Sequence, residues 1–108
     1  MSAFTISIPK GSNLTVEITD IGDLTGATGH FAVRNAAGTV VISKSTDDPD
    51  EGEVGDEEME FYLVPADTSE LALGGYYYDA WIVTATGEQY QVRAVSRFTV
   101  LDRVVVLP

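Results

Sequence analysis

The sequence predicts an all-β protein: an antiparallel, immunoglobulin-like β-sandwich of seven to eight strands with one short helical turn. It reads as a single domain over residues 1–108, with an acidic loop at about 46–58. Three observations predict this. Apolar and polar residues alternate with a period of two through most of the chain, the pattern of half-buried strands. Breaks rich in Gly, Asn, Asp and Pro recur at spacings of roughly 8 to 15 residues, as they do between the short strands of a sandwich. Helix signals are confined to one stretch.

In "FTISIP", Phe4, Ile6 and Ile8 share one face, with Thr5 and Ser7 on the other. "LTVEIT" repeats the pattern, setting Leu14, Val16 and Ile18 opposite Thr15, Glu17 and Thr19. "HFAVRN" and "TVVISKS" are joined by "AAG", a hairpin connection with glycine where positive φ is needed. "MEFYLV" stops at Pro65, which cannot donate to a ladder. Asp67 or Thr68 then caps one helical turn through "TSELAL". "YYYDAWIVTA", the turn "TGE" and "QYQVRAVSRFTVL" make a last long hairpin, bent by a bulge near Ala94 to Ser96. A closing run, "RVVVLP", reads either as an edge strand or as an arm reaching a neighbour.

Composition narrows the function classes. With 108 residues, 44% hydrophobic and 21% charged, the chain suits one soluble domain with one core. It has no cysteine, so disulfides and thiolate chemistry are absent. A net charge of -11 disfavours nucleic acid and anionic membrane surfaces as partners. The start, "MSAFTISIPKGS", lacks the layout of a signal peptide, so synthesis in the cytoplasm is expected. The one histidine, His30, lies in a strand beside Phe31, and no serine sits in a nucleophile-elbow context. No catalytic residues and no cofactor are therefore expected.

The segment "DTSELALGGYYYDAWIV" carries the densest signal. Leu71, Gly74 and Tyr76 have the spacing of a tyrosine corner, in which the hydroxyl bonds back to the backbone just upstream. Strand parity then puts Tyr76, Tyr78, Ala80 and Ile82 on one face and Tyr77, Asp79, Trp81 and Val83 on the other. Only one face packs into the core. Tyr77, Trp81 and Asp79 are thus the interface candidates, unless they only cover a flank of the sandwich.

"DDPDEGEVGDEEME" holds nine of the chain's seventeen acids. Read as a calcium loop of the helix-loop-helix kind from Asp47, it places Gly52 sixth and Glu58 twelfth, but Pro49 occupies a ligand position and strands flank the loop. That reading fails. Asp47, Asp48, Asp50 and Asp56 stay as calcium candidates beside two alternatives, a solvated loop guarding an edge and a dock for a basic neighbour.

The order "GSNLTVEITD", "DLTGATGHFAVRNAAGTVVISKS", "FYLVPADTSEL", "GGYYYDAWI" and "RFTVLDRVV" resembles the small immunoglobulin-like domains of tailed bacteriophages and prophages. They are similar to the N-terminal domain of phage upper baseplate proteins. The resemblance implies a non-enzymatic virion protein of the tail, baseplate or head-to-tail region, docking on other virion structural proteins as a homo-oligomer or symmetric array. It carries over no catalytic residues, and the acidic insertion at 47–58 departs from its pattern. Alternatives are a capsid decoration protein, a carbohydrate-binding module that stacks sugars on Tyr77 and Trp81, and a calcium-dependent adhesion module.

Overall fold

A computed structural model describes residues 4–102. Among these the strands are β1 (Ile6–Pro9), β2 (Leu14–Ile18), β3 (Thr28–Arg34), β4 (Val40–Ser45), β5 (Gly52–Val54), β6 (Met59–Leu63), β7 (Gly74–Val83) and β8 (Gln89–Leu101), with one helix, α1 (Pro65–Thr68). They form a five-stranded sheet in the order β1-β8-β7-β3-β4 and a three-stranded sheet in the order β2-β6-β5. The protein is a β-sandwich, as its alternation requires. The "RVVVLP" run lies outside the described residues.

Alternation decides what the sandwich buries. Ile8, Phe31, Val33, Tyr78, Ala80, Phe98 and Val100 from the larger sheet meet Val16, Ile18, Met59, Phe61 and Leu63 from the smaller one, all under a tenth exposed. An aromatic chain runs through the middle: Phe31 stacks on Phe61 with centroids 5.4 Å apart and also meets Tyr78 at 5.4 Å, which meets Phe98 edge-on at 6.3 Å. Such offset and edge contacts add to the area term of burial.

Three local features differ from the sequence reading. First, the larger sheet is not wholly antiparallel, because β1 pairs with β8 in parallel, Ile6 opposite Phe98 and Ile8 opposite Val100. No hairpin joins these strands; β1 leads into β2 of the other sheet, so no short connection sets its direction. Second, the helical turn starts earlier than "TSELAL". Pro65 takes its first position, where a missing N–H costs nothing. Asp67 sits within the turn and its Oδ2 accepts from the Val64 N–H at 2.7 Å.

Third, the acidic segment is not a plain loop. It contributes β5, which pairs with β6 through Gly52 opposite Phe61 and Val54 opposite Met59. Gly52 is required by close approach, since a Cβ there would lie 2.6 Å from the Glu60 carbonyl oxygen and 3.1 Å from the Phe61 ring. The glycine that suggested a calcium loop serves sheet packing. Backbone bonds from Ile21 N–H to Glu57 O (3.0 Å) and from Leu24 N–H to Asp56 O (3.1 Å) tie the segment's far end to the loop before β3.

Candidate functional site

The tyrosine-rich strand divides as its parity dictates. Tyr76, Tyr78, Ala80 and Ile82 are buried, while Tyr77 and Trp81 are 49% and 39% exposed on the outer face of the larger sheet. Tyr76 Oη donates to the Ala72 carbonyl at 2.7 Å, Leu71 packs against the core edge, and Gly74 has φ 124°, a conformation that favours glycine. The turn is thereby clamped at the entry to β7.

Directly opposed residues share a face, so register builds the outer surface row by row. Arg34, Tyr77 and Arg97 form one row across β3, β7 and β8, and His30, Trp81 and Gln91 form another. Between them Asp79 pairs with Ala32 and faces a bulge at Ala94 and Val95. His30 is exposed here, not a core histidine. Asp79 Oδ2 accepts from Trp81 Nε1 at 2.8 Å and from Gln91 Nε2 at 3.3 Å. With its N–H satisfied inside the face, the indole presents apolar surface outward. Ala32, Arg34, Tyr77, Tyr78, Asp79 and Val95 line a shallow concavity of about 270 Å³.

Charge on this face differs from the rest of the chain. Arg34 and Arg97 are two of only six basic residues, both exposed, and neither makes an ion pair among the described residues. Sequence reasoning missed both. An unbroken ladder running from the Val83–Gln89 pair would set Val95 opposite Tyr77; bulges in β8 advance the register by two and bring Arg97 there instead. Arg34 joins through β3, which is not the sequence neighbour of β7, so no turn revealed that pairing.

The opposite outer face is acidic. Glu17, Glu60 and Glu53 stand in register across β2, β6 and β5. Tyr62 Oη donates to Glu60 Oε1 at 2.8 Å, and Glu53 Oε2 shares that one proton from 3.3 Å. The bond to the Glu60 carboxylate, with some desolvation and the charges of Glu60 and Glu53, pushes the phenol up to about 12. The folded state therefore holds this proton more tightly than the unfolded chain, whose phenols titrate near 10. That contribution is complete below pH ~10 and is lost as pH rises through about 12. Denaturant melts across this window should show a shallower loss of stability for Tyr62→Phe than for the wild type; equal slopes would count against the carboxylate contact.

Of the calcium candidates, Asp48 uses its carboxylate in a local turn. Asp48 Oδ1 accepts from the Asp50 N–H at 2.9 Å, the Asp47 N–H donates to Ser45 Oγ at 3.2 Å, and Asp56 lies beyond β5 on the turn into β6. Among the described residues, no group of three or more His, Cys, Asp or Glu side chains could hold a metal ion.

Fold and surface define a β-sandwich with one aromatic, arginine-bearing sheet face and one acidic face. No protein-family model and no curated protein matches the chain. Among solved structures it is similar to CopC from Methylosinus trichosporium OB3b, with a TM-score of 0.52 and 15% identity over 94% of this chain and 89% of that one. A likeness at this identity shows the fold alone.

The phage resemblance is overturned by these findings. None of them shows a phage or prophage relationship, and a similar solved structure spanning nearly the whole chain is a CopC. The tail, baseplate and decoration roles and the virion location fall with it. The physical reason lies in the residues that carried the resemblance, each of which answers to the sandwich. In "DLTGAT", Asp23 Oδ1 accepts from the Thr25 N–H and hydroxyl while Leu24 is buried. "PADT" is α1, and "YYYDAWI" is a corner followed by a core strand. Their order reports the architecture, which unrelated functions share.

Proposed function

We propose that this protein is a non-catalytic protein-docking module that binds its partner through the outer face of the larger sheet, centred on Tyr77 and Trp81. The observation that carries this reading is the combination of residues there. Two exposed aromatic rings, one held by Asp79, stand on the same face as two arginines that form no ion pair among the described residues. Tyr, Trp and Arg are the residues in which binding energy concentrates at protein interfaces. Rigid strands hold them at fixed spacing, which keeps the ordering cost of binding low. The arginines favour a partner surface bearing carboxylates.

The test compares immobilised wild type with Tyr77→Ala/Trp81→Ala, presented to an extract of the source. Both side chains lie on the surface, so the variant should melt within a few degrees of the wild type. A partner retained by the wild type should bind the variant at least about 30-fold more weakly, the loss expected when a central anchor is truncated. Equal retention by both proteins would overturn the reading.

A further inference from the structure

We propose that the partner surface for this face is the acidic sheet of a second copy of the same chain, so that copies stack face to face in a head-to-tail manner. This rests on the docking role of the Tyr77 and Trp81 face proposed above. It adds an occupant, argued from charge and spacing.

The two outer faces carry matching rows. Arg34, Tyr77 and Arg97 occupy three successive strands of the larger sheet, and Glu17, Glu60 and Glu53 occupy three successive strands of the smaller one. Neighbouring strands lie about 4.8 Å apart, so the outer members of each row are separated by the same ~10 Å. With the rows superposed, Arg34 and Arg97 each meet a terminal glutamate while Tyr77 lies over Glu60 and the Tyr62 ring beside it. Arginine forks match carboxylates in this way.

Among the described residues, no ion pair compensates the acidic row. Directly opposed like charges weaken a sheet, yet Glu17 faces Glu60 and Glu60 faces Glu53. Tyr62 shares one proton between two of the three carboxylates but supplies no positive charge. A pair of arginines held at the row's own spacing would relieve the repulsion. Among the described residues, no group of three or more His, Cys, Asp or Glu side chains could hold a metal ion to do so.

The contact is small. The smaller sheet is three strands wide, so the buried area falls below the ~1,200 Å² of stable specific interfaces. The net charge of -11 on each copy opposes approach, and physiological salt screens it beyond ~8 Å. Weak, concentration-dependent association follows. Because the two faces lie on opposite sides of the sandwich, each copy offers one donor and one acceptor surface, and the contact propagates instead of closing a two-fold dimer.

The test is sedimentation equilibrium of the full chain at physiological salt from ~10 µM to ~1 mM, the range in which so small an interface associates. Wild-type protein should rise in average mass with concentration beyond that of a dimer. Arg34→Gln/Arg97→Gln and Glu17→Gln/Glu53→Gln should each associate at least ~10-fold more weakly, since each lacks one charged face. Mixed in equal amounts, the two variants should form a 1:1 complex and nothing larger. All four positions are exposed, and melting curves confirm the folds. Wild type that stays monomeric throughout, or variants that associate as the wild type does, would overturn the proposal. If wild type is monomeric but an extract protein still depends on Tyr77 and Trp81 for capture, self-stacking fails and the docking role stands. If neither occurs, both fail.

Discussion

Tyr78→Ala should lower the free energy of unfolding by about 3–5 kcal/mol, as aromatic truncations in packed cores do. Tyr78 is 2% exposed and sits between Phe31 and Phe98 of its own sheet, so its removal breaks the run of rings within the larger sheet, next to the Phe31–Phe61 contact that joins the two sheets. Its hydroxyl does a second job at the sandwich edge. It donates to the Phe4 carbonyl and accepts from Arg93 Nη1 at 2.8 Å, while the Arg93 guanidinium lies 4.0 Å over the Phe4 ring. Tyr78→Phe keeps the ring and deletes this bridge, and should cost about 1–2 kcal/mol. Urea melts followed by Trp81 fluorescence would separate the two terms. For the alanine variant the midpoint temperature should fall by well over ~10 °C. A cost under ~1 kcal/mol for Tyr78→Ala would mean that the buried ring and its contacts with Phe31 and Phe98 add little to stability.

The second large effect is asymmetric. Asp67→Ala should cost about 3–5 kcal/mol, whereas Lys44→Met should be near neutral or stabilising. Lys44 stands on the inward face of β4 beside Ile42, and its Nζ meets Asp67 Oδ2 at 2.9 Å with side chains 9% and 18% exposed. Taking both charges out of water consumes most of what their attraction returns. Removing the carboxylate alone strands a buried ammonium and also deletes the acceptor for the Val64 N–H. Replacing the lysine with methionine removes the desolvation cost and keeps the stem's packing. The double variant should recover most of the loss, leaving about 1 kcal/mol for the missing cap. A Lys44→Met penalty as large as that of Asp67→Ala would show the pair to be a net source of stability.

Legibility of this chain followed the range of the interactions involved. Strand parity depends on adjacent residues, and it separated Tyr76 and Tyr78 from Tyr77 and Trp81 before any coordinates. Asp67 was visible as a residue at the helical turn, but nothing in the sequence names Lys44 as its partner, because the pair spans two distant segments. Likewise Gly52 suggested an ion-binding loop, since its neighbour in space, the Glu60 carbonyl, lies on another strand. The family resemblance misled for a related reason: corner, cap and turn motifs recur wherever a sandwich needs them.

By itself the sequence determined that this protein is a β-sandwich, which residues of β1, β2 and β7 face the core, and that the Tyr77 and Trp81 side of β7 points away from it. These follow from a side-chain period of two and from local turn chemistry, both written in neighbouring residues. Tertiary structure alone decided the parallel pairing of β1 with β8, the entry of the acidic segment into the smaller sheet, and the two rows of arginine and glutamate on opposite faces. Those depend on which strands become neighbours and on bulges that shift register by whole residues, and such pairings are settled only when the two sheets close over a common core.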